Sequence, residues 1–537
     1  MSPVPTILNL LLAVVVSGGL ARFTRLPLPI VQMSLGAGIA LSAIPTVELH
    51  PELFFLLFLP PLLFLDGWRI PKDELFRDRA TILELAIGLV ILTVLCVGIF
   101  IHWLIPAVPL AVAFALAAVI SPTDPIAVSA IAARAPIPKR MMHILEGESL
   151  LNDASGLVCM RFAVAAALTG VFSPSQALVT FAWLAFGGIA IGFGVTWTAT
   201  RAKQWIGERL GEDTGTQVLV SLLIPFGAYI LAEKLHCSGI LAAVAAGVTM
   251  SFAEQRGRAL AATRVRRAAV WDSVQFAANG VIFVLLGEQM PGLIGKASDT
   301  IRITGHAEPW WLLIYVLAIC LALGGLRFAW VWLSLRWTLF KAVRRGEPRP
   351  SVSWRLVAAM SLAGVRGAIT LAGVLTLPLT LTDGSPFPAR DLAIFLAAGV
   401  ILVSMVAASV LLPKVLRGLE LPPEPSRQAE IDEARSAAAH AAILAIEAEQ
   451  HKLAAGREDA DLYTDTAGRI MELYRQRIEG RRDAVGQGPH VDQIERKLLL
   501  VGLEAERAEV RRRIRARELD GAAGQRLVRD IDLREAR

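Results

Sequence analysis

Cysteine is scarce in this chain: four in 537 residues, with Cys96, Cys159, Cys237 and Cys320 each standing alone in or beside an apolar run. No CxxC pair or metal-ligand spacing occurs among them, so they read as small apolar fillers rather than a zinc or redox site. Histidine is also sparse. The eight present lie mainly in loops or near the ends of apolar runs, with no HExxH spacing, which argues against an intramembrane metalloenzyme. No basic stretch precedes the first apolar run; Met1-Ser2-Pro3-Val4-Pro5 leads straight into it. A cleaved signal peptide is therefore not expected, and that run reads as a first membrane span.

What is abundant is apolar surface, 55% of residues, too much over too long a stretch for a soluble protein. The apolar runs fill residues 1–417, and residues 418–537 turn polar, so a membrane domain followed by a soluble tail is expected. A span needs about 20 largely apolar residues, fewer where a helix is broken. Thirteen candidates meet that standard: 5–21, 28–45, 50–66, 81–104, 108–131, 144–169, 177–200, 216–233, 238–252, 270–290, 310–339, 354–378 and 390–413. The fold class expected is an all-α polytopic membrane protein with thirteen transmembrane helices and a helical cytoplasmic tail.

Loop charge sets the orientation. Alternate loops, beginning with Arg22 and Arg25 and ending with Arg344, Arg345, Arg349 and Arg355, carry 22 lysines and arginines. The opposite set carries four, Lys234, Lys296, Arg302 and Arg390. The net charge of +6 thus bears on topology rather than on nucleic acid. The positive-inside bias puts the N-terminus outside and the tail in the cytoplasm of a multi-pass cell (inner) membrane protein.

Two spans are broken. The fifth contains Ser121-Pro122-Thr123-Asp124-Pro125, whose prolines remove donors and interrupt the helix. The twelfth contains Gly364-Val365-Arg366-Gly367, a charge at mid-depth between glycines. They stand seven apart in the order of spans, an odd number, so they cross in opposite senses. Units 1–6 and 8–13 would be six-helix inverted repeats, each broken in its fifth helix, the pattern that points to a transporter site. Close packing at the two glycines is the plainer alternative, which Arg366 makes less attractive.

Carboxylates at bilayer depth are functional-site candidates by default. On the sixth span Ser149 and Asp153 share one helix face, Glu148 and Asn152 the neighbouring one. Asp153 is the expected binding group for ion and proton alike, because competition for one carboxylate is all that exchange requires. Asn152 would orient ligands without adding charge, and Thr123 and freed carbonyls would offer hard oxygen ligands. Asp124 can neutralise helix N-termini at the breaks and Arg366 helix C-termini. Glu148 is expected to pair with a buried arginine, Arg366 or Arg161. Glu84 and Glu288 read as interfacial, and Glu233 as a partner of Lys234 or a helix cap.

At these residues the chain resembles the monovalent cation:proton antiporters, in the electroneutral sodium/proton exchanger branch. The matching pieces are Thr123-Asp124-Pro125, Glu148-Ser149 with Asn152-Asp153, and Gly364-Val365-Arg366-Gly367-Ala368, supported by Arg25-Leu26-Pro27-Leu28-Pro29 and Ala232-Glu233 leading to Ser238-Gly239. The resemblance implies a core and a dimerisation domain, usually a homodimer, and elevator-type alternating access. It implies Asp153 as the ion- and proton-binding carboxylate, Thr123 and Ser149 as further sodium ligands, and a Glu148–Arg366 ion pair. Its Asn-Asp pair is associated with one-for-one exchange. Glu288 departs from the family, which usually has an apolar residue there.

The activity expected is therefore exchange of a monovalent cation for protons, with sodium first and lithium or potassium as alternatives, and with no cofactor beyond the transported ions. A potassium/proton exchanger remains a neighbouring reading. A gated cation channel would want a ring of repeated filter residues, and none is seen. In the tail, helices are expected near 427–456, 460–481 and 489–519. No nucleotide- or ligand-binding motif is visible there, and a solvated appendage is the reading favoured over a regulatory one.

Overall fold

The computed structural model describes residues 3–535 except 25, 43–50, 71, 126–127, 130–136, 170–173, 211–212, 257–260, 296–300, 302–307, 345–352, 382–383, 418–426, 456–459, 483–487, 517, 520–526, 529–530 and 533. The second half of the fifth span beyond Pro125, several charged loops and the start of the tail at Pro422-Pro423 lie wholly or largely outside the described residues. The chain forms two compact units, Met1–Glu420 and Leu421–Arg537.

In the first unit α1 (Pro3–Thr24), α2 (Leu28–Ala40) and α3 (Pro51–Arg69) are followed by a short α4 (Lys72–Arg77). Next come α5 (Arg79–Leu104), with a π-turn at Glu84–Leu89, and α6 (Leu110–Ile120). Then follow α7 (Lys139–Thr169), α8 (Pro174–Leu210), α9 (Thr214–Lys234) and α10 (Gly239–Arg256). The unit closes with α11 (Ala261–Gly295), α12 (Trp310–Arg344), α13 (Trp354–Leu362), α14 (Ala368–Leu375) and α15 (Arg390–Leu416). A helix thus lies over each of the thirteen expected segments. Among the described residues eight helices are long and apolar enough to cross a membrane, and Leu28–Ala40, Leu110–Ile120 and Gly239–Glu254 are shorter apolar helices. The shortfall has a physical cause at the breaks, where α6 stops at Ile120 and α13 and α14 divide one segment in two.

Helix ends are fixed by local chemistry. The Asp213 carboxylate accepts from the Thr216 amide at 2.7 Å and starts α9; bonds from Thr216 and Gly215 hold it below the usual carboxylate range. Lys72 closes α3, its ammonium donating to the carbonyls of Gly67, Trp68 and Ile70 at 3.1, 3.2 and 2.6 Å. Burial pushes that ammonium down to about 8.

Two helix pairs cross in direct backbone contact. A Cβ at Gly36 of α2 would strike the Val284 carbonyl of α11, and one at Gly287 would strike the Met33 carbonyl. On α3 and α10 a Cβ at Gly67 would strike the Val244 carbonyl, and one at Gly247 the Phe64 carbonyl. Small residues let helices approach this closely in an apolar medium, where dispersion and hydrogen bonding must hold them together.

The buried apolar side chains fall into three clusters. The largest joins α5, α6, α7 and α12–α15. A second joins α1, α3, α10 and α11 around Leu59, Leu63, Leu241 and Leu285. The third sets Phe64 and Trp271 among α9 and α10. α7 contributes Leu150 and Ala154 to the second cluster and Met160 and Ala163 to the first, so it runs along their boundary.

In the second unit α16 (Arg427–Ala454) packs on α17 (Ala460–Arg482), with Gln450 donating to Thr464 at 3.0 Å. α18 (Gly488–Arg515) follows, and its Arg507 pairs with Asp532 at 2.9 Å and with Glu535. Arg512 and Arg513 hold Glu509 down to about 2.

Candidate cation site

The site begins with the crossing of the two breaks. Residues 121–124 and 363–367 leave helical geometry, and the Asp124 amide donates to the Val365 carbonyl at 2.7 Å. Arg366 serves the carbonyl ends. Its Nε donates to Ile120 O, at the end of α6, at 2.9 Å, and its Nη1 to Gly364 O, just beyond α13. The Asp124 carboxylate rests on Gly367, the residue that starts α14, so closely that a Cβ there would overlap it. The negative charge therefore meets a helix N-terminus and the positive charge meets C-termini, the complement the half-helix dipoles require.

α7 comes up to this crossing because Gly156 lets it. A Cβ at Gly156 would meet Pro122 and the Ala118 carbonyl. With the helix that close, Glu148, Ser149, Asn152 and Asp153 all reach the break and are all buried.

Glu148 is held by Arg327 of α12, not by Arg366 or Arg161. Arg327 Nη1 and Nη2 donate to Glu148 Oε1 and Oε2 at 2.6 and 2.7 Å, with both side chains 2% exposed. Arg327 Nε also donates to Met360 O at 3.0 Å, next to the second break. Arg366 is committed to backbone carbonyls. Arg161 lies 3.6 Å from Glu233, expected to pair with Lys234 or to cap its helix; Glu233 Oε1 also accepts from the Gly239 amide at the start of α10 at 3.3 Å. Glu288 is 4% exposed, so it is a buried group rather than an interfacial one.

A polar chain continues from the pair. Thr123 Oγ1 donates to Glu148 Oε1 at 3.1 Å and accepts from Asn152 Nδ2 at 3.0 Å. The Thr123 hydroxyl is thus engaged by protein on both its proton and a lone pair. Asn152 Oδ1 is buried with no partner among the described residues, an acceptor open to a hydrogen-bond donor or cation beside it.

Beyond this chain lies a cavity of about 40 Å³, lined by Thr123, Asp124, Ser149, Asp153 and Thr370 among others. Asp66 of α3 and Asn279 of α11 line it too. The structure therefore brings together Thr123, Asp124, Ser149 and Asp153 around one cavity, while Glu148 and Asn152 bond to Thr123 without lining it. Asp66 and Asn279 were not expected from sequence. The signal for Asp66 was an acid closing the apolar run Leu62-Leu63-Phe64-Leu65-Asp66. The volume suits one small ion with little water. Among the described residues no three His, Cys, Asp or Glu converge closely enough to chelate a metal ion. The oxygens on offer are spread over carboxylates, hydroxyls and an amide, a set suited to a hard cation held loosely.

The sequence profile described as "Sodium/hydrogen exchanger, transmembrane" matches residues 10–418. The chain belongs to the sodium/hydrogen exchanger family. This places it among the monovalent cation:proton antiporters, membrane transporters rather than enzymes. It is 42% identical to an uncharacterised Na(+)/H(+) exchanger of Escherichia coli K12, YjcE, over 99% of this chain and 98% of that one. It is 45% identical to the sodium, potassium, lithium and rubidium/H(+) antiporter of Bacillus pumilus, over 75% of this chain and 60% of that one. The chain thus spans less than two thirds of that longer relative. Among solved structures it superimposes on the sodium proton antiporter MjNhaP1 of Methanocaldococcus jannaschii with a TM-score of 0.58 at 20% identity, covering 78% of this chain and 99% of that one. At that identity the likeness speaks for the fold.

Proposed function

We propose that this exchanger moves sodium against protons, one for one, with Asp153 holding each in turn. The observation that carries the reading is the cavity at the crossing of two broken helices, where Asp153, Ser149, Asp66, Thr123 and Asp124 line one space of about 40 Å³. Asp153 receives the ion. Ser149 and the backbone oxygens freed around Thr123 complete its shell, and Asp124 stays at the α14 N-terminus. Asp66 adds a second carboxylate to the same space. Protonation of Asp153 removes the charge that holds sodium, so the two cargoes exclude one another. Asn152 contributes no charge, which leaves a single exchangeable carboxylate on α7 and suits electroneutral exchange. The name of the Bacillus pumilus relative extends the proposed cargo to potassium, lithium and rubidium.

The same reading takes all thirteen helical segments as spans, arranged as inverted repeats in a homodimer of the inner membrane, with the N-terminus outside and the tail in the cytoplasm. The glycine crossings support the repeat. If spans 1–6 and 8–13 are related by a pseudo-twofold axis, α2 maps onto α10 and α3 onto α11. The pair α2–α11 then maps onto α10–α3. Each pair shows the same pattern, a glycine on either helix against the carbonyl three residues before the glycine of the other. The division of the apolar core along α7 supports a moving body that carries Asp153 past a fixed one, as elevator-type access needs.

The test is transport by the full chain in proteoliposomes, with the voltage clamped by potassium and valinomycin. An inward sodium gradient should drive proton efflux, and an imposed potential should leave the rate unchanged. A potential that alone drives sodium uptake would overturn the one-for-one stoichiometry. No cation-driven proton movement would overturn the exchange itself.

A further inference from the structure

A second and larger cavity, about 790 Å³, lies against α7 and shares no lining residue with the ion cavity. Its walls come from α3, α7, α8, α9 and α10, and they are mostly apolar, with Leu56, Leu157, Val158, Leu168, Leu184 and Ile240 among them. Three charged groups line it: Arg161, Glu233 and Lys234. Tyr229, Ser238 and Thr376 add polar groups, and the charges sum to one net positive, a poor balance for a cation path. The volume is in the usual range for ligand pockets, about 300–1,000 Å³.

The charge is also incompletely matched from within. Arg161 Nη2 stands 3.6 Å from Glu233 Oε1, beyond hydrogen-bonding distance, and that same oxygen accepts from the Gly239 amide at 3.3 Å. The contrast is with Arg327, whose fork is closed on Glu148 by two short bonds. A phosphate is the ligand whose geometry an arginine fork fits, and a neighbouring lysine adds a point charge to it.

The mouth opens beside exposed apolar surface of α8 and α9, two helices long and apolar enough to cross a membrane. Ile230 lines the cavity and is 41% exposed, and Trp183, Leu223 and Leu231 nearby on α8 and α9 are exposed as well. An occupant entering from there comes from the bilayer, tail first along the apolar wall. We infer that this cavity seats one anionic phospholipid, its phosphate held by Arg161 and Lys234 and an acyl chain lying between α7 and α8–α10. Such a lipid would join the helix that carries Asp153 to the helices on its other side, and so act on transport without entering the ion cavity.

The experiment uses the full-length protein, delipidated and resupplied with phosphatidylglycerol or phosphatidylcholine of matched chains, and read by native mass spectrometry and thermal unfolding. Wild type should retain phosphatidylglycerol and gain thermal stability from it over phosphatidylcholine. R161Q/K234Q should bind phosphatidylglycerol about thirtyfold more weakly, as expected for the loss of two basic contacts. Ala165 lines the same wall, so A165F should exclude the lipid by filling its space while both charges remain. Equal retention of the two lipids by wild type, or undiminished phosphatidylglycerol binding in both variants, would overturn the site. So would A165F abolishing sodium-driven flux with lipid retention intact, which would make the cavity an ion path.

Discussion

Arg327 and Glu148, 179 residues apart, close a two-pronged ion pair in the interior of the first unit, at 2.6 and 2.7 Å. The pair ties α12 to α7 directly behind the ion cavity, and Glu148 passes its remaining capacity on to Thr123. Its place there is positional. With both carboxylate oxygens engaged by a guanidinium, Glu148 is a poor ligand for a mobile cation.

Breaking such a pair strands a buried charge, at a cost of roughly 3–5 kcal/mol. Glu148→Gln and Arg327→Gln should each lower the detergent melting temperature sharply. Combining Glu148→Gln with Arg327→Met should recover part of the loss, whereas combining it with Arg366→Gln should not. Additive losses for Glu148 and Arg327 in a double-mutant cycle would show them to be independent.

Gly367 is the second point of tight fit. An added methyl would overlap the Asp124 carboxylate and its own Cβ, and overpacking of this kind typically costs about 1–3 kcal/mol. Gly367→Ala should destabilise the protein and slow exchange by displacing Asp124 from the α14 N-terminus. The stability penalty should shrink in an Asp124→Gly background. An unchanged penalty there would mean that the strain lies elsewhere.

Lys72 makes the stability depend on pH at the end of α3. Its folded-state value, about 8, lies below the ordinary 10.5, so the fold disfavours the charged form. That penalty is complete below pH 8. It is relieved between pH 8 and 10.5, where the folded chain has lost a proton that the unfolded chain still holds. The melting-temperature difference between wild type and Lys72→Met should therefore move in favour of wild type as pH rises through that window. A constant difference would remove Lys72 from the account.

Both breaks and the α7 motif were legible in the sequence because each is local. Pro122 and Pro125 flank Thr123-Asp124 and remove backbone donors on both sides of it, and the spacing of Ser149, Asn152 and Asp153 fixes which side chains share a face. The dipole roles of Asp124 and Arg366 followed from sign alone. The partner of Glu148 was not legible, because pairing over 179 residues depends on how α12 packs on α7. A signal was present nonetheless. Arg327 sits within Leu323-Gly324-Gly325-Leu326-Arg327-Phe328-Ala329-Trp330, a charge at bilayer depth that demands a partner. Asp66 was hidden for a similar reason. At the end of an apolar run it resembles an interfacial acid, and only the packing of α3 beside α7 and α11 brings it to the cavity that Asp153 also lines.

The central claim is that Asp153 carries both cargoes. The most direct measurement is sodium-driven proton flux in proteoliposomes of Asp153→Asn, beside wild type and with matched melting temperature and oligomeric state. Asparagine keeps the shape and removes the charge, so flux should fall to the level of empty liposomes while the fold persists. Flux that stays at a substantial fraction of wild type would contradict the account and move the exchangeable proton to another group, with Asp66 the first to test.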